Sequence, residues 1–250
     1  MSSIAISGIV FACIVGGTIL GMILRHFLPE HHLSAESRDA VKVGTGLIAT
    51  MSALVLGLLV ASAKSSFDTQ QSEFVQMSAN IIFLDRVLAH YGPEATEARN
   101  MLKGGVVNML DRIWPTDGSH PARVEGTTSS EALYEKLQEL APKTESQQAL
   151  KAQALKTATD VAQMRWLLFA HRGSSIPAPF LVVVICWLTL IFAGFSMFAP
   201  PNATVIVTLL ISALSVAGAI FLILELDRPF EGMIQISSGP MRDALGQLGR

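Results

Sequence analysis

Four long apolar stretches stand out in the pattern of hydrophobic and polar positions along the chain. They cover residues 4–24, 43–63, 180–199 and 203–224, and none of them contains Asp, Glu, Lys or Arg. A helix needs about 20 such residues to cross roughly 30 Å of hydrocarbon. The pattern therefore predicts an all-α membrane protein with four transmembrane helices in a lipid bilayer.

A second periodicity begins where the second apolar stretch ends. Apolar residues and one glutamine recur at alternating three- and four-residue steps, which is the spacing of a packing seam along one face of a helix. This seam consists of Phe67, Gln70, Phe74, Met77, Ile81, Leu84, Leu88 and Tyr91. No helix breaker precedes Gly92-Pro93, so span two is predicted to continue as a rod from Gly44 to Tyr91. The seam would pack on other helices of the insert or on the same helix of a neighbouring subunit.

The insert between spans two and three has helical patterns throughout. An apolar face runs through residues 93–115, and the capping boxes Thr128-x-x-Glu131 and Thr144-x-x-Gln147 precede two further helical segments. The predicted organisation places transmembrane helices one and two in residues 1–63, a helical cytoplasmic domain in 64–178, helices three and four in 179–226, and a cytoplasmic tail in 227–250.

Charge indicates how the chain is oriented and which partners it lacks. The net charge of -2 argues against nucleic acid as a partner. Near the membrane, the side of the insert carries Lys64, Arg165, Arg172, Arg228 and Arg242, and the other side carries Arg25, Arg38 and Lys42. Because cytoplasmic loops are enriched in Lys and Arg, we expect an inner-membrane protein with both termini and residues 64–178 in the cytoplasm.

The titratable residues do not form a recognisable reactive centre. Coupled transporters usually keep charged residues inside their spans, and these four stretches have none. No base and nucleophile are placed together by their spacing, so we expect no enzyme activity and no cofactor. His26, His31 and His32 lie close in sequence, but no Cys or suitably spaced acidic cluster joins them, so we expect no metal site.

Span two carries a stripe that could line a passive pore. Hydroxyls and short apolar side chains follow one another at three- and four-residue steps on one face, which collects Ser52, Val55, Leu59, Ser62, Ser66 and Thr69. In the first interpretation, copies of this face surround an axis, with Val55 and Leu59 as a hydrophobic neck. In the second, the serines bond to their own backbone carbonyls and the face packs internally.

Span one carries a pair of glycines with the spacing typical of close helix packing. Gly17 and Gly21 lie one turn apart on the same face, where another helix can approach. Packing within one subunit is the favoured interpretation, and a contact between subunits is the alternative.

The end of span four combines charge, a proline and an aromatic ring. The segment contains Glu225, Asp227, Arg228, Pro229 and Phe230. Pro229 is predicted to end the helix, and the Phe230 ring to turn back into the base of the insert. We interpret the five residues as a structural clamp, in which Glu225 or Asp227 meets a cation of the insert, Arg165 or Arg172.

The order of these parts and the ELDRPFEG segment resemble the bestrophin-like family of four-span membrane proteins, which is distantly similar to bestrophin anion channels. Pro229 and Phe230 match the Pro-Phe-Gly element that follows the fourth span in bestrophins, and Glu231 interrupts its final glycine. The resemblance implies a homo-oligomer, pentameric in bestrophins, in which span two lines a central pathway for small anions. The acidic calcium-binding cluster of bestrophins has no counterpart in the MIQISSGPMR segment that follows.

Three functions remain open at this point. The first is an oligomeric ion channel that conducts anions passively along an axis lined by span two. The second is a non-conducting membrane scaffold or sensor, whose coiled cytoplasmic rod mediates assembly or signalling. The third, a membrane enzyme or coupled transporter, is the least supported, because the spans contain no charged residue.

Overall fold

The computed structural model describes residues 2–29, 34–115, 129–170, 176–200, 202–230 and 232–250. Over these ranges the chain forms eight α-helices and one 3₁₀ turn, Pro93–Ala95, and contains no strand. The helices are α1 (Ser3–Phe27), α2 (Ala35–Tyr91), α3 (Thr96–Ile113), α4 (Ser129–Glu139), α5 (Glu145–Ala170), α6 (Ala178–Phe198), α7 (Ala203–Leu226) and α8 (Gly239–Gln247). Helices α1, α2, α6 and α7 are long and apolar enough to cross a membrane, which confirms the predicted four-span, all-α fold.

Helix α2 is longer than predicted at its amino-terminal end. It begins at Ala35 instead of Gly44 and extends over 57 residues. The additional segment is polar, yet Ser34 caps it, since its hydroxyl accepts from the Ser37 amide at 3.3 Å. Lys42 and Asp39 also pair across one turn at 3.3 Å. Hydropathy marks only the part of a helix that lipid surrounds, so the sequence pattern did not reveal this solvated extension.

The chain divides into two compact units. Unit 1 comprises residues Met1–Ser66 and Ser174–Asp227, and unit 2 comprises Phe67–Gly173 and Arg228–Arg250. Helix α2 contributes its first part to unit 1 and its second part to unit 2.

Unit 1 is a helical bundle in which α1 packs against α6 and α7. Its core contains Val10 and Ile14 of α1, Val184 of α6 and Ile220 of α7, all of them fully buried. The ends are fixed by polar contacts: the Arg25 guanidinium donates to the carbonyl that follows α6. Large apolar residues thus fill the space between the spans, and polar groups close the helix ends.

The close approach of α1 and α6 depends on the predicted glycine pair. A Cβ atom on Gly17 would lie 2.7 Å from Thr189 Cγ2 and 2.8 Å from the Thr189 carbonyl oxygen. A Cβ on Gly21 would overlap the Ala193 carbonyl and the Ser196 hydroxyl. Both glycines therefore pack against α6 of the same chain, as the favoured interpretation of this motif expected.

Unit 2 surrounds the predicted seam of α2 with its own residues. Phe74, Met77, Leu84 and Leu88 are all fully buried, and Ile81 is 1% exposed. The sequence allowed two partners for the seam, other helices of the insert or a neighbouring subunit. In the structure the seam is buried by residues of its own subunit. Around it, α3 packs against α4 and α8, and α4 packs against α5.

Helix α5 begins at the second predicted capping box. The Thr144 hydroxyl accepts from the Gln147 amide at 3.2 Å, and the Gln147 side chain accepts from the Lys143 amide at 2.8 Å. The other end of Gln147 donates to the Tyr91 carbonyl at 3.0 Å, which fixes the start of α5 beside the end of α2. Thr128, the first residue of the other predicted capping box, lies outside the described residues.

Candidate pore-lining face of helix α2

One side of α2 packs into the core of unit 1. Its buried residues Thr45, Ser52, Leu59 and Ala63 follow one another at steps of seven or four, so they share one face of the helix. Leu59 is 6% exposed and belongs to the same apolar core as residues of α1, α6 and α7. This face holds the span to its own subunit.

The opposite side of α2 is not covered by the subunit. Val43 is 75% exposed, Leu47 64%, Leu54 76% and Leu58 65%. Successive members of this set lie four or seven residues apart, so the side chains form a continuous ridge. In a membrane, this ridge meets either lipid or another subunit.

The predicted pore stripe lies along the border between these two sides. Ser52 and Leu59 are buried in the subunit, Val55 and Ser66 are half-buried, and Ser62 is exposed. A side chain that its own subunit buries is not free to face an axis between subunits. In this subunit, Leu59 is therefore a core residue, and the neck that we placed at Val55 and Leu59 lacks an accessible leucine.

The hydroxyl of Ser52 bonds to a backbone carbonyl of its own helix, as the second interpretation of the stripe predicts. It donates to the Ile48 carbonyl one turn earlier at 2.8 Å. Thr45 makes the same bond to the Val41 carbonyl, also at 2.8 Å. Both side chains satisfy their polar atoms within the helix, which is the usual arrangement of Ser and Thr in an apolar environment. Ser62 and Thr69, which are exposed, and the half-buried Ser66 are the stripe residues whose hydroxyls remain near the surface.

At the far end of unit 1, α7 stops where the proline motif begins. The helix ends at Leu226, and the Asp227 amide still donates to the Ile223 carbonyl at 3.1 Å. The Glu225 and Asp227 side chains are 4% and 9% exposed. Carboxylates with so little access to water require polar partners. Their predicted pairing with Arg165 stays a prediction, and Arg172 lies outside the described residues.

The second half of the clamp lies in unit 2, where an aromatic cluster holds it. The Phe230 ring packs edge to face on Trp114, with ring centres 6.2 Å apart, and Trp114 packs on Phe74 at 5.2 Å. The Ile236 amide donates to the Pro229 carbonyl at 2.8 Å, and the Trp114 indole donates to the Ile236 carbonyl at 3.2 Å. Phe230 thus turns back onto the insert, where the sequence predicted a contact.

An ion pair that sequence reasoning missed lies in the same unit. Asp85 of α2 is 1% exposed and accepts two hydrogen bonds from Arg99 of α3, at 2.8 and 2.9 Å. Burial alone would raise the pKa of Asp85, but the hydrogen bonds from Arg99 and the Gly249 amide, with the charge of Arg86, outweigh it. The pKa of Asp85 therefore lies below its usual value. The pair fixes the α2–α3 hairpin.

Metal-binding side chains do not gather in the part of the chain that the structure describes. No group of three or more His, Cys, Asp and Glu residues there is placed to hold an ion. His31 and His32 fall outside this part. Among the described residues, α2 carries the candidate site.

Four helices that are long and apolar enough to cross a membrane, among described residues that contain no strand, indicate a multi-pass membrane protein. The chain matches the bestrophin-like domain over residues 12–241. It belongs to the bestrophin-like family. No match was found among curated proteins or among solved structures.

Proposed function

We propose that the protein is an oligomeric ion channel in which copies of α2 surround an axial path for small anions. Membership of the bestrophin-like family supports a channel-type function at the level of the family. The number of subunits follows the family resemblance, which favours a pentamer. The observation that carries the proposal is the uncovered side of α2 in unit 1.

The exposure of this span supports a contact beyond the subunit. Leu54 and Leu58 are 76% and 65% exposed, although they lie near the middle of the apolar segment of α2. Lipid can cover such residues, but so can the α2 helices of neighbouring subunits. In a ring of subunits, two flanks of each α2 contact the α2 helices of the neighbouring subunits. The strip of α2 between the two flanks faces the axis.

The wall of the proposed path is neutral. Residues 43–63 of α2 contain no charged side chain, and Lys64 lies at the end of this segment. Apolar constrictions and hydroxyl groups suffice for passive conduction, and a gate can close by losing its water. We place Ser62, Val55 and Ser66 at the accessible edge of the path, with Ser52 and Leu59 supporting them from the packed side.

The test is chloride flux through the purified protein in liposomes. We expect the wild-type protein to release trapped chloride faster than protein-free liposomes do. In a background with Cys13→Ser and Cys186→Ser, we expect a negatively charged thiol reagent to reduce the flux several-fold in a Ser62→Cys variant. The same reagent should leave the flux unchanged in a Val182→Cys variant, since Val182 is 57% exposed on α6 and not on α2.

The two parts of this experiment answer different questions. If the wild-type protein releases no chloride, the proposal of a channel is wrong. If chloride flows but modification of Ser62→Cys has no effect, the path exists and the assignment of this edge of α2 is wrong.

A scaffold without conduction is the second candidate. Its simplest form, a dimer closed along the seam of residues 67–91, is disfavoured because unit 2 already buries this seam. A scaffold would therefore have to use other surfaces, such as the exposed side of α2 at Val75 and Phe83, which are 46% and 47% exposed. Assembly into a ring without measurable flux would favour this candidate.

The inner-membrane location and the cytoplasmic position of both termini are part of the proposal. They rest on the excess of basic residues beside the insert. A cysteine in place of Tyr134, which is 38% exposed in unit 2, tests the orientation. A membrane-impermeant thiol reagent should label this cysteine in broken cells and not in intact spheroplasts. Labelling in intact spheroplasts would reverse the orientation.

A further inference from the structure

The last described segment of unit 2 is attached along one narrow apolar face. Helix α8 and the residues after it, 239–250, form what we call the strap. The strap buries Met241, Ala244 and Leu248, which lie three or four residues apart on one face. The residues between them are exposed or half-buried. Three side chains, one of them alanine, provide a small apolar area for a helix of 9 residues.

The tip of the strap, residues 247–250, is held by polar contacts from α2 and α3. The Arg86 guanidinium donates to the Arg250 carbonyl at 3.1 Å and to the Gln247 carbonyl at 3.2 Å. Arg99 donates to the Arg250 carbonyl at 3.2 Å, and the Gly249 amide donates to Asp85 at 3.3 Å. Gly249 adopts a φ of 87°, in the left-handed region that glycine enters without strain.

Two buried polar residues of α2 lie beneath the strap. Ser78 of α2 lies there, with its hydroxyl 3.9 Å from the Met241 sulfur, and Asp85 follows it two turns later. The two hydrogen bonds from Arg99 to Asp85 involve no atom of the strap, so Asp85 keeps both when the strap is displaced. Water could therefore solvate Ser78 and Asp85 at modest cost, which does not hold for the apolar residues of the neighbouring seam.

We propose that residues 239–250 form a releasable strap, which detaches from the α2–α3 hairpin as a unit while the rest of unit 2 stays folded. Proteins open locally where few apolar contacts and many exposed polar contacts hold a segment. Three of the 12 residues of the strap are buried, and exposed hydrogen bonds from Arg86 and Arg99 hold its tip. Release would uncover Arg86, Asp85 and Arg99 together as one charged surface on the hairpin.

Hydrogen exchange of the full chain in detergent micelles or nanodiscs, followed by mass spectrometry, tests the proposal. In the wild-type protein, we expect the amides of residues 242–248 to exchange at least about tenfold faster than those in the middle of α3. Arg86→Gln removes the two carbonyl contacts and leaves the Asp85–Arg99 pair in place. This variant should increase exchange in the strap by about tenfold and leave exchange in α3 unchanged.

A second variant acts on the strap itself. Gly249→Ala introduces a Cβ that meets nothing closer than the Lys103 amine at 3.9 Å, so its effect arises from the backbone conformation. We expect faster exchange in the strap here too. As a control, Lys136→Gln removes exposed ion pairs with Glu97 and Glu139 and should not change the strap.

Two results would overturn the proposal. If Arg86→Gln accelerates exchange in α3 and the strap together, the strap is an integral part of unit 2. If neither Arg86→Gln nor Gly249→Ala changes exchange in the strap, its tip contacts do not control docking.

Discussion

The two parts of helix α2 have very different surroundings in one subunit. Between residues 43 and 66, the buried positions are Thr45, Ser52, Leu59 and Ala63. Between residues 67 and 91, 11 of the 25 residues are buried. The second part therefore has a core of its own, which α3, α5 and the residues around Phe230 help to build. The first part attaches to its subunit along a narrow strip and leaves the rest to lipid or to other subunits.

This contrast follows from what each part of the helix needs in order to be stable. Outside a membrane an uncovered apolar face is costly, and the seam of α2 is covered within unit 2. In a bilayer, lipid is as apolar as leucine, so an uncovered face costs little and is free to bind another subunit. The same helix can therefore have a self-sufficient part and a part that is available for assembly.

The largest effect is expected from a pair of phenylalanines on the second part of α2. Phe74 is fully buried and touches Trp114, whereas Phe83 is 47% exposed. Phe74→Ala should lower the free energy of unfolding of unit 2 by about 3–5 kcal/mol, because it leaves a cavity. Phe83→Ala should change it by less than about 0.5 kcal/mol. Chemical denaturation measures both, and equal effects would contradict the claim that unit 2 has its own core.

The next effect concerns the buried ion pair of the hairpin. Asp85→Asn removes the charge that Arg99 and the Gly249 amide bind, and we expect a loss of about 1.5–3 kcal/mol in the stability of unit 2, the range for hydrogen bonds to charged groups. Lys136→Gln, which breaks exposed pairs that water screens, should have a much smaller effect. A neutral effect of Asp85→Asn would show that the pair does not hold α2 to α3.

The same residue makes stability depend on pH in a known direction. The pKa of Asp85 is lower in the folded protein than in the unfolded chain, where it is about 3.9. The carboxylate therefore contributes its full stabilisation above the unfolded-state pKa, and this stabilisation is lost as the pH falls through the lower pKa of the folded state. The thermal midpoint of the wild-type protein should therefore fall more steeply below about pH 4 than that of Asp85→Asn. Parallel curves for the two proteins would rule out this linkage.

A smaller effect is expected where α1 meets α6 in unit 1. Gly21→Ala should destabilise the bundle by about 1–3 kcal/mol, because the new methyl group overlaps the Ala193 carbonyl. Gly16→Ala adds the same group where nothing lies within 4 Å, and it should be neutral or slightly stabilising. Thermal unfolding in detergent compares the two, and similar midpoints would contradict the packing of Gly21 against α6.

The smallest effect separates the two sides of α2 in the membrane. Leu59 is 6% exposed and its neighbour Leu58 is 65% exposed. Leu59→Ala should lower subunit stability by about 1–2 kcal/mol, less than in water because lipid is also apolar. Leu58→Ala should leave the subunit unchanged and shift the fraction of oligomer, measured by cross-linking in liposomes. If Leu58→Ala leaves the oligomer intact, the ridge faces lipid.

The sequence predicted the second part of α2 well, because outside a membrane the spacing of apolar residues shows which side of a helix is buried. Apolar residues at heptad spacing outside a membrane must be covered, so the spacing of Phe74, Ile81 and Leu88 is enough to assign them to a seam. Inside the membrane, apolar residues occur on both sides of the helix, so the pattern does not distinguish packed from lipid-facing positions. For this reason the pattern places Leu59 at a neck, whereas the residue lies in the core.

The Asp85–Arg99 pair could not be predicted for a different reason. The two residues are 14 positions apart and meet only because the chain reverses between α2 and α3. That reversal occurs at Gly92, whose φ of 124° suits glycine, and the sequence did mark Gly92-Pro93 as a helix end. It did not specify the angle at which the next helix returns, which decides which side chains meet.

Trp114 gives unit 2 a built-in optical reporter. Its indole lies between Phe74 of α2 and Phe230 after α7, and its N–H donates to the Ile236 carbonyl, so two segments distant in sequence surround one fluorophore. Any movement that separates the residues after α7 from the insert exposes this ring to water and shifts its emission to longer wavelengths. With Trp166 and Trp187 replaced by Phe, the fluorescence of the remaining tryptophan would follow the closure of unit 2 without an added label.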